Sequence, residues 1–149
     1  MAAPFPKIED TLPHDHPMIL LDRILSVDGE RTLCEAVIRE GAAFVEPEGL
    51  RTHVTLEHMA QCVAAGAGVR SLRDGEPPRV GFLVGCRTMQ IHRPWLAIGS
   101  TVRVAVDNSW GEDHFGHFAG EVHVGEELVA SATLSVIRLA RGQKPSDVY

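Results

Sequence analysis

Aromatic residues are scarce in this chain, with 5% Phe, Trp and Tyr in 149 residues, so its core must be built from aliphatic and small side chains. Cysteine is scarce too. Cys34, Cys62 and Cys86 are odd in number, far apart and set among apolar neighbours, a pattern of small buried side chains and not of a disulfide framework or a metal cluster. No apolar run approaches the roughly 20 residues of a membrane span. The opening Met1-Ala2-Ala3-Pro4-Phe5-Pro6-Lys7 has neither the charged start nor the apolar stretch of a secretory signal. These features predict a cytoplasmic protein with no membrane partner. A basic block is missing as well, and the formal net charge is -6, which argues against nucleic acid as a partner.

What is present is globular. Hydrophobic residues make up 44% and charged residues only 23%, which excludes a disordered or fibrous chain. The length suits one domain over residues 1–149, with 1–11 as an N-terminal extension without periodicity and 141–149 as a solvated tail. Met18 to Leu25 is an apolar run, and Thr32 to Arg39 alternates Cys34, Ala36 and Ile38 with more polar neighbours. An Asp28-Gly29 turn joins the two as a strand pair. A third strand starts over Val80 to Cys86, after the breaker Asp74-Gly75-Glu76-Pro77-Pro78. A fourth puts Val102, Val104 and Val106 on one face, a fifth puts Phe118, Gly120, Val122 and Val124 on one face, and a sixth runs from Leu128 to Ile137. Short turns between successive strands predict an α+β fold with a mainly antiparallel sheet.

Between the second and third strands lies Val54 to Gly68, a helix whose non-polar residues are almost all small. Such a helix invites close approach, so the sheet is expected to wrap it, with Ala60, Ala64 and Gly68 facing the sheet at short range. Glu57 sits near its start. Buried there, a carboxylate needs partners or a proton and suits acid–base chemistry; facing solvent, it merely complements the helix dipole. His53, Glu57 and Gln61 are spaced by four and share a stripe, so His53 is placed to bond Glu57. His58 points about a hundred degrees away, as a core or interface histidine. A metal site from His14, His16, His53 and Glu57 matches no ligand spacing template.

Three segments resemble one family. Leu12-Pro13-His14-Asp15-His16-Pro17-Met18-Ile19-Leu20-Leu21-Asp22-Arg23-Ile24 is similar to the LPHRYPFLLVDRV opening of the 3-hydroxyacyl-[acyl-carrier-protein] dehydratases, the FabZ and FabA group. Leu56-Glu57-His58-Met59-Ala60-Gln61 resembles the IEAMAQ that opens their central helix and carries the catalytic acid. His92-Arg93-Pro94-Trp95-Leu96-Ala97-Ile98-Gly99 resembles their FRRPVVPG. The matches occur in the family's order and span about Leu12 to Leu139. They imply a hot-dog fold, an antiparallel sheet wrapped around one long central helix, that dimerises with itself or with another hot-dog subunit.

One departure matters. The family's GHFPG motif puts its catalytic histidine where this chain has Ala43, in Gly41-Ala42-Ala43-Phe44-Val45. Gly116-His117-Phe118-Ala119-Gly120 is similar in letters only, because it lies inside an alternating strand long after the helix. Loss of the motif resembles the variant subgroup that includes the ApeP-type dehydratase of aryl polyene assembly. The resemblance then implies Glu57 as acid and His14 as the replacement base, with His53 and His58 as rivals. It assigns Phe44, Thr52, His53 and Gln61 to substrate binding, with free N–H groups around Thr52 and His53 as oxyanion donors. No cofactor is implied beyond the phosphopantetheine that carries the substrate. An acyl carrier protein is the implied partner, docking on Arg87 and Arg93. The activity expected is dehydration of a 3-hydroxyacyl thioester to the trans-2-enoyl thioester. The alternatives are an acyl thioesterase and a catalytically weak subunit of a heteromeric dehydratase.

Overall fold

Valines at alternate positions build the middle of the sheet. In the computed structural model, which describes residues 5–79, 81–112 and 114–139, Val102, Val104 and Val106 are buried on β7 (Thr101–Glu112), while Thr101 and Arg103 face solvent. β7 lies between β2 (Arg31–Val37), which buries Cys34 and Ala36, and β8 (Phe115–Val124). β1 (Arg23–Asp28) flanks β2, and β9 (Glu127–Arg138) and β5 (Gly81–Ile91) complete the far side. The order is β1-β2-β7-β8-β9-β5 with every pair antiparallel. Gly29, at φ 57°, makes the expected turn between β1 and β2.

The expected order of two strands, a helix and four strands holds for this sheet, and the sheet curls around α2 (Thr55–Arg73). Three features differ from expectation. The first strand begins at Arg23 and not in the apolar run from Met18, because Met18 and Leu20 are tied by their backbone to the helix instead of to a neighbouring strand. A four-residue helix, α1 (Ile8–Thr11), occupies the segment expected to lack structure, with Ile8, Thr11 and Leu12 buried. A small second sheet joins β3 (Val45–Glu46), β4 (Gly49–Arg51) and β6 (Trp95–Leu96) ahead of the helix. Strands of two or three residues carry no alternation to read. The tail expected over 141–149 lies outside the described residues.

Small residues do permit close packing, and of the three expected positions Gly68 packs tightly, against α1 and not the sheet. A Cβ on Gly68 would run into the backbone carbonyl of Thr11 in α1, and one on Gly66 into the side chain of Thr32 in β2. On the sheet side, Gly120 makes room for Met59, which is fully buried. Cys62 lies between β2 and β7, its Sγ 3.5 Å from the carbonyls of Thr32 and Val104, and burial pushes its thiol well above the usual range. Cys34 and Cys62 are the small buried side chains expected; Cys86 is exposed on β5, which among the described residues pairs with β9 alone. Leu83 and Val84 on that strand are 37% and 50% exposed. No helix among the described residues is long and apolar enough to cross a membrane.

Candidate active site

The helix begins behind a turn of 3-10 helix, Thr52–Val54, and Glu57 falls in the first turn of α2, where the dipole favours a carboxylate. It is neither sealed in the core nor free in solvent. Its side chain is 35% exposed, and its Oε1 lies 3.6 Å from Nε2 of His14. The second residue comes from the segment that follows α1, so docking of α1 on the helix sets where His14 can reach. Nδ1 of His14 is buried with no hydrogen-bond partner, which leaves this imidazole less constrained than one held at both nitrogens.

Gln61, one turn further on, holds the pair in place. Its Nε2 donates to Oε1 of Glu57 at 3.0 Å and to the carbonyl of Met18 at 2.7 Å, and its Oε1 accepts from the N–H of Leu20 at 2.9 Å. The side chain is fully buried. Gln61 therefore fixes the carboxylate and the segment that follows His14, and does not line the cavity as the expected substrate-binding role requires.

His14 and Glu57 sit at one end of a cavity of about 260 Å³ between α2 and the sheet. Ala60, Ala64 and Ala67 form its helix wall; Val106, Phe115 and Phe118 stand among its sheet residues. Ala60 and Ala64 thus face space and not a tightly packed sheet, which corrects the expected close approach. Replacement of Ala64 by Leu should fill part of this cavity without overpacking. The melting temperature is then expected to hold or rise, while binding of long acyl groups weakens more than that of short ones; a fall of several degrees would place Ala64 against packed atoms.

Other expected site residues lie elsewhere. His53 is exposed in the 3-10 turn, off the helical stripe, so Gln61 and not His53 bonds Glu57. The N–H of Thr52 donates to the carbonyl of Pro94 at 2.9 Å, and its hydroxyl to the carbonyl of Arg93. Thr52 is thus no free oxyanion donor. Phe44 is 50% exposed, outside the cavity, and holds φ at 67°, a conformation that costs a bulky residue about 1–3 kcal/mol. Ala43, at the family's histidine position, lines a separate hollow of about 310 Å³ with His58, because consecutive helical residues such as Glu57 and His58 point to different sides. Arg87 is exposed on β5, whereas Arg93 is bound to Glu127 at 2.7 Å.

His58 is buried and its imidazole is held neutral. Desolvation lowers its pKa to about 4, against the opposing effects of the Val54 carbonyl and Asp22. The unfolded chain, with a histidine near 6.5, binds the proton more readily than the folded one, so this group should withdraw stability as pH falls from about 6.5 through about 4. Unfolding by urea across that range is expected to show a slope that His58→Gln flattens; an unaltered slope would assign the pH dependence to other groups.

Fold and site together define a hot-dog protein whose helix presents a carboxylate beside a histidine. The sequence pattern of the ApeP-like family, described as ApeP dehydratase, matches residues 6–146, and the chain belongs to that family. Among solved structures, the dehydratase heterocomplex ApeI:P from Xenorhabdus doucetiae superposes with a TM-score of 0.87 at 21% identity, covering 92% of this chain and 93% of that one. The PaaI protein from the phenylacetic acid degradation operon of E. coli matches at 0.60 and 14% identity over 79% of each chain. Protein PA5202 from Pseudomonas aeruginosa matches at 0.65 and 16% identity over 90% of this chain and 100% of that one. No curated protein matches the sequence.

Proposed function

We propose that this protein removes water from a 3-hydroxyacyl thioester carried on acyl carrier protein, giving the trans-2-enoyl thioester. The observation that carries the reading is the His14–Glu57 pair, 3.6 Å apart at one end of the cavity. His14 takes the proton from the carbon next to the thioester carbonyl, and the electron pair moves through the enolate to form the double bond. Protonated Glu57 gives its proton to the departing hydroxyl, which leaves as water. Because the two groups are adjacent, the proton on His14 can return to Glu57 and reset the site. With the Thr52 N–H bonded to Pro94, the first turn of the helical run after Thr52 is where a donor for the enolate oxygen is sought.

A second hot-dog subunit fits the edge of β5 that pairs with no other described strand, where exposed Leu83 and Val84 need cover. Two observations favour an unlike subunit: Ala43 stands where the family's histidine belongs, and the similar Xenorhabdus doucetiae protein is part of a heterocomplex. Dehydration is tested by supplying 3-hydroxyacyl carrier protein and following double-bond formation and free thiol together, with and without a hot-dog chain that has an intact GHFPG motif. Enoyl product from the chain alone supports the reading, thiol release in its place supports a thioesterase, and product only in the mixture supports a dependent subunit.

Carrier docking falls to Arg87, since Arg93 is already paired with Glu127. Arg87→Glu is expected to raise KM for the carrier-bound substrate several-fold at low salt and to leave a pantetheine thioester unaffected. Equal changes for both substrates would remove Arg87 from docking.

A further inference from the structure

The cavity does not end as it begins. Arg70, Arg79 and Arg138 line it together with Asn108, and of its two lining carboxylates Glu57 stands at the other end, leaving exposed Glu30 beside them. The topology gathers these residues at the end remote from Glu57. Arg70 is in the last turn of α2 and donates to the carbonyl of Gly29 at 2.7 Å. The N–H of Asn108 bonds the carbonyl of Glu30. Arg138 pairs in register with Gly81 of β5, two residues after Arg79. All three arginines are partly buried, and no carboxylate among the described residues forms an ion pair with Arg70 or Arg79. Holding the guanidinium groups of Arg70 and Arg79 in one half-buried wall favours an anion between them. Oδ1 of Asn108 is also buried without a partner, and a half-turn of that amide would present its NH₂ to a ligand instead.

We infer that this end of the cavity is an oxyanion subsite, in which Arg70, Arg79 and Arg138 receive a carboxylate or a phosphate carried by the substrate. Thirteen residues of helix separate Glu57 from Arg70, about 20 Å at 1.5 Å per residue. The two ends are therefore distinct sites joined by the alanine wall, and one extended molecule can occupy both. Guanidinium forks suit planar carboxylate and phosphate oxygens. Two parts of a thioester substrate can supply the anion: the far end of its acyl group, or the phosphate of its pantetheine arm. That the bound molecule is a substrate rests on the dehydratase reading; that the subsite holds an oxyanion does not.

Binding measured by titration calorimetry at about 0.15 M salt tests the subsite without turnover. Octanoate is compared with octanamide, and 4'-phosphopantetheine with pantetheine, each pair differing in the anion. The expected result is that the wild-type chain prefers the anionic member of at least one pair by about tenfold. Arg79→Gln and Arg138→Gln should abolish that preference and Arg79→Lys should largely keep it. A preference confined to octanoate identifies the acyl end as the source, and one confined to 4'-phosphopantetheine identifies the arm. Equal affinity within both pairs overturns the subsite, as does a preference that survives in both glutamine variants. An Arg79-dependent preference in a protein that dehydrates nothing keeps the subsite and removes the dehydratase reading.

Discussion

Glu57→Gln is expected to lower dehydration about 10²-fold or more, and His14→Ala to lower it to a similar degree, with little further loss when the two are combined. Positioned acid and base groups each contribute about 10² to 10⁴ in rate, and groups that act as one unit give non-additive losses. Their 3.6 Å separation at the cavity end makes His14 and Glu57 such a unit. Glutamine keeps the shape of Glu57 and its contact with the Gln61 amide but has no proton to give in acid form. His53→Ala should have a small effect, since His53 is exposed and has no described bond to Glu57. Steady-state rates on a pantetheine thioester, with melting temperatures as the control on folding, decide the matter. Near wild-type turnover in Glu57→Gln would take the carboxylate out of the mechanism; an active His14→Ala beside an inactive His53→Ala would move the base onto the helix.

Gly68→Ala should destabilise the protein by about 1–3 kcal/mol, the range for forcing extra atoms into a packed site. Helix propensity argues the other way, since alanine in mid-helix is about 1 kcal/mol better than glycine. Packing decides the sign. The added Cβ meets the carbonyl of Thr11, a backbone atom that moves only if α1 moves, and α1 is anchored by buried Ile8 and Leu12. For a chain of this length the melting temperature should fall by about 2–4 °C per kcal/mol. Because α1 leads directly to His14, the same substitution should reduce turnover beyond what the loss of folded protein explains. A raised melting temperature would mean that propensity outweighs the contact and that α1 is not held against α2.

The readable elements were those with a period. Val102, Val104 and Val106 announce one face of a strand, and the run of small residues read as helix over Val54 to Gly68 is helix, continuing to Arg73. What had no period was missed. α1 is four residues long, β3 and β6 are two each; α1 and β6 are held by α2 and β4, distant in sequence, and β3 by its hairpin partner β4. Exposure of Cys86 was hidden for a related reason: its apolar neighbours fit a buried strand equally well, and only its place at the edge of the sheet leaves it uncovered.

The candidate site divides along the same line. Local pattern, with the family resemblance beside it, was enough to pick out an acid in the first turn of the helix, a histidine in the Leu12-Pro13-His14 opening and the absence of a histidine at position 43. It could not say which partner Glu57 meets. Helical spacing made His53 and Gln61 equal neighbours of Glu57, yet the 3-10 turn at Thr52–Val54 rotates His53 away while Gln61 remains in reach. Bringing His14 to within 3.6 Å of Glu57 required α1 to dock on α2 across 43 residues of chain, and gathering Arg70, Arg79 and Arg138 required the sheet order β8-β9-β5. Sequence alone determined the elements with a period, their order and the chemistry they carry, because those follow from side chains a few positions apart. Tertiary structure decided which of these side chains share a cavity, because that depends on how a curled sheet closes on one helix.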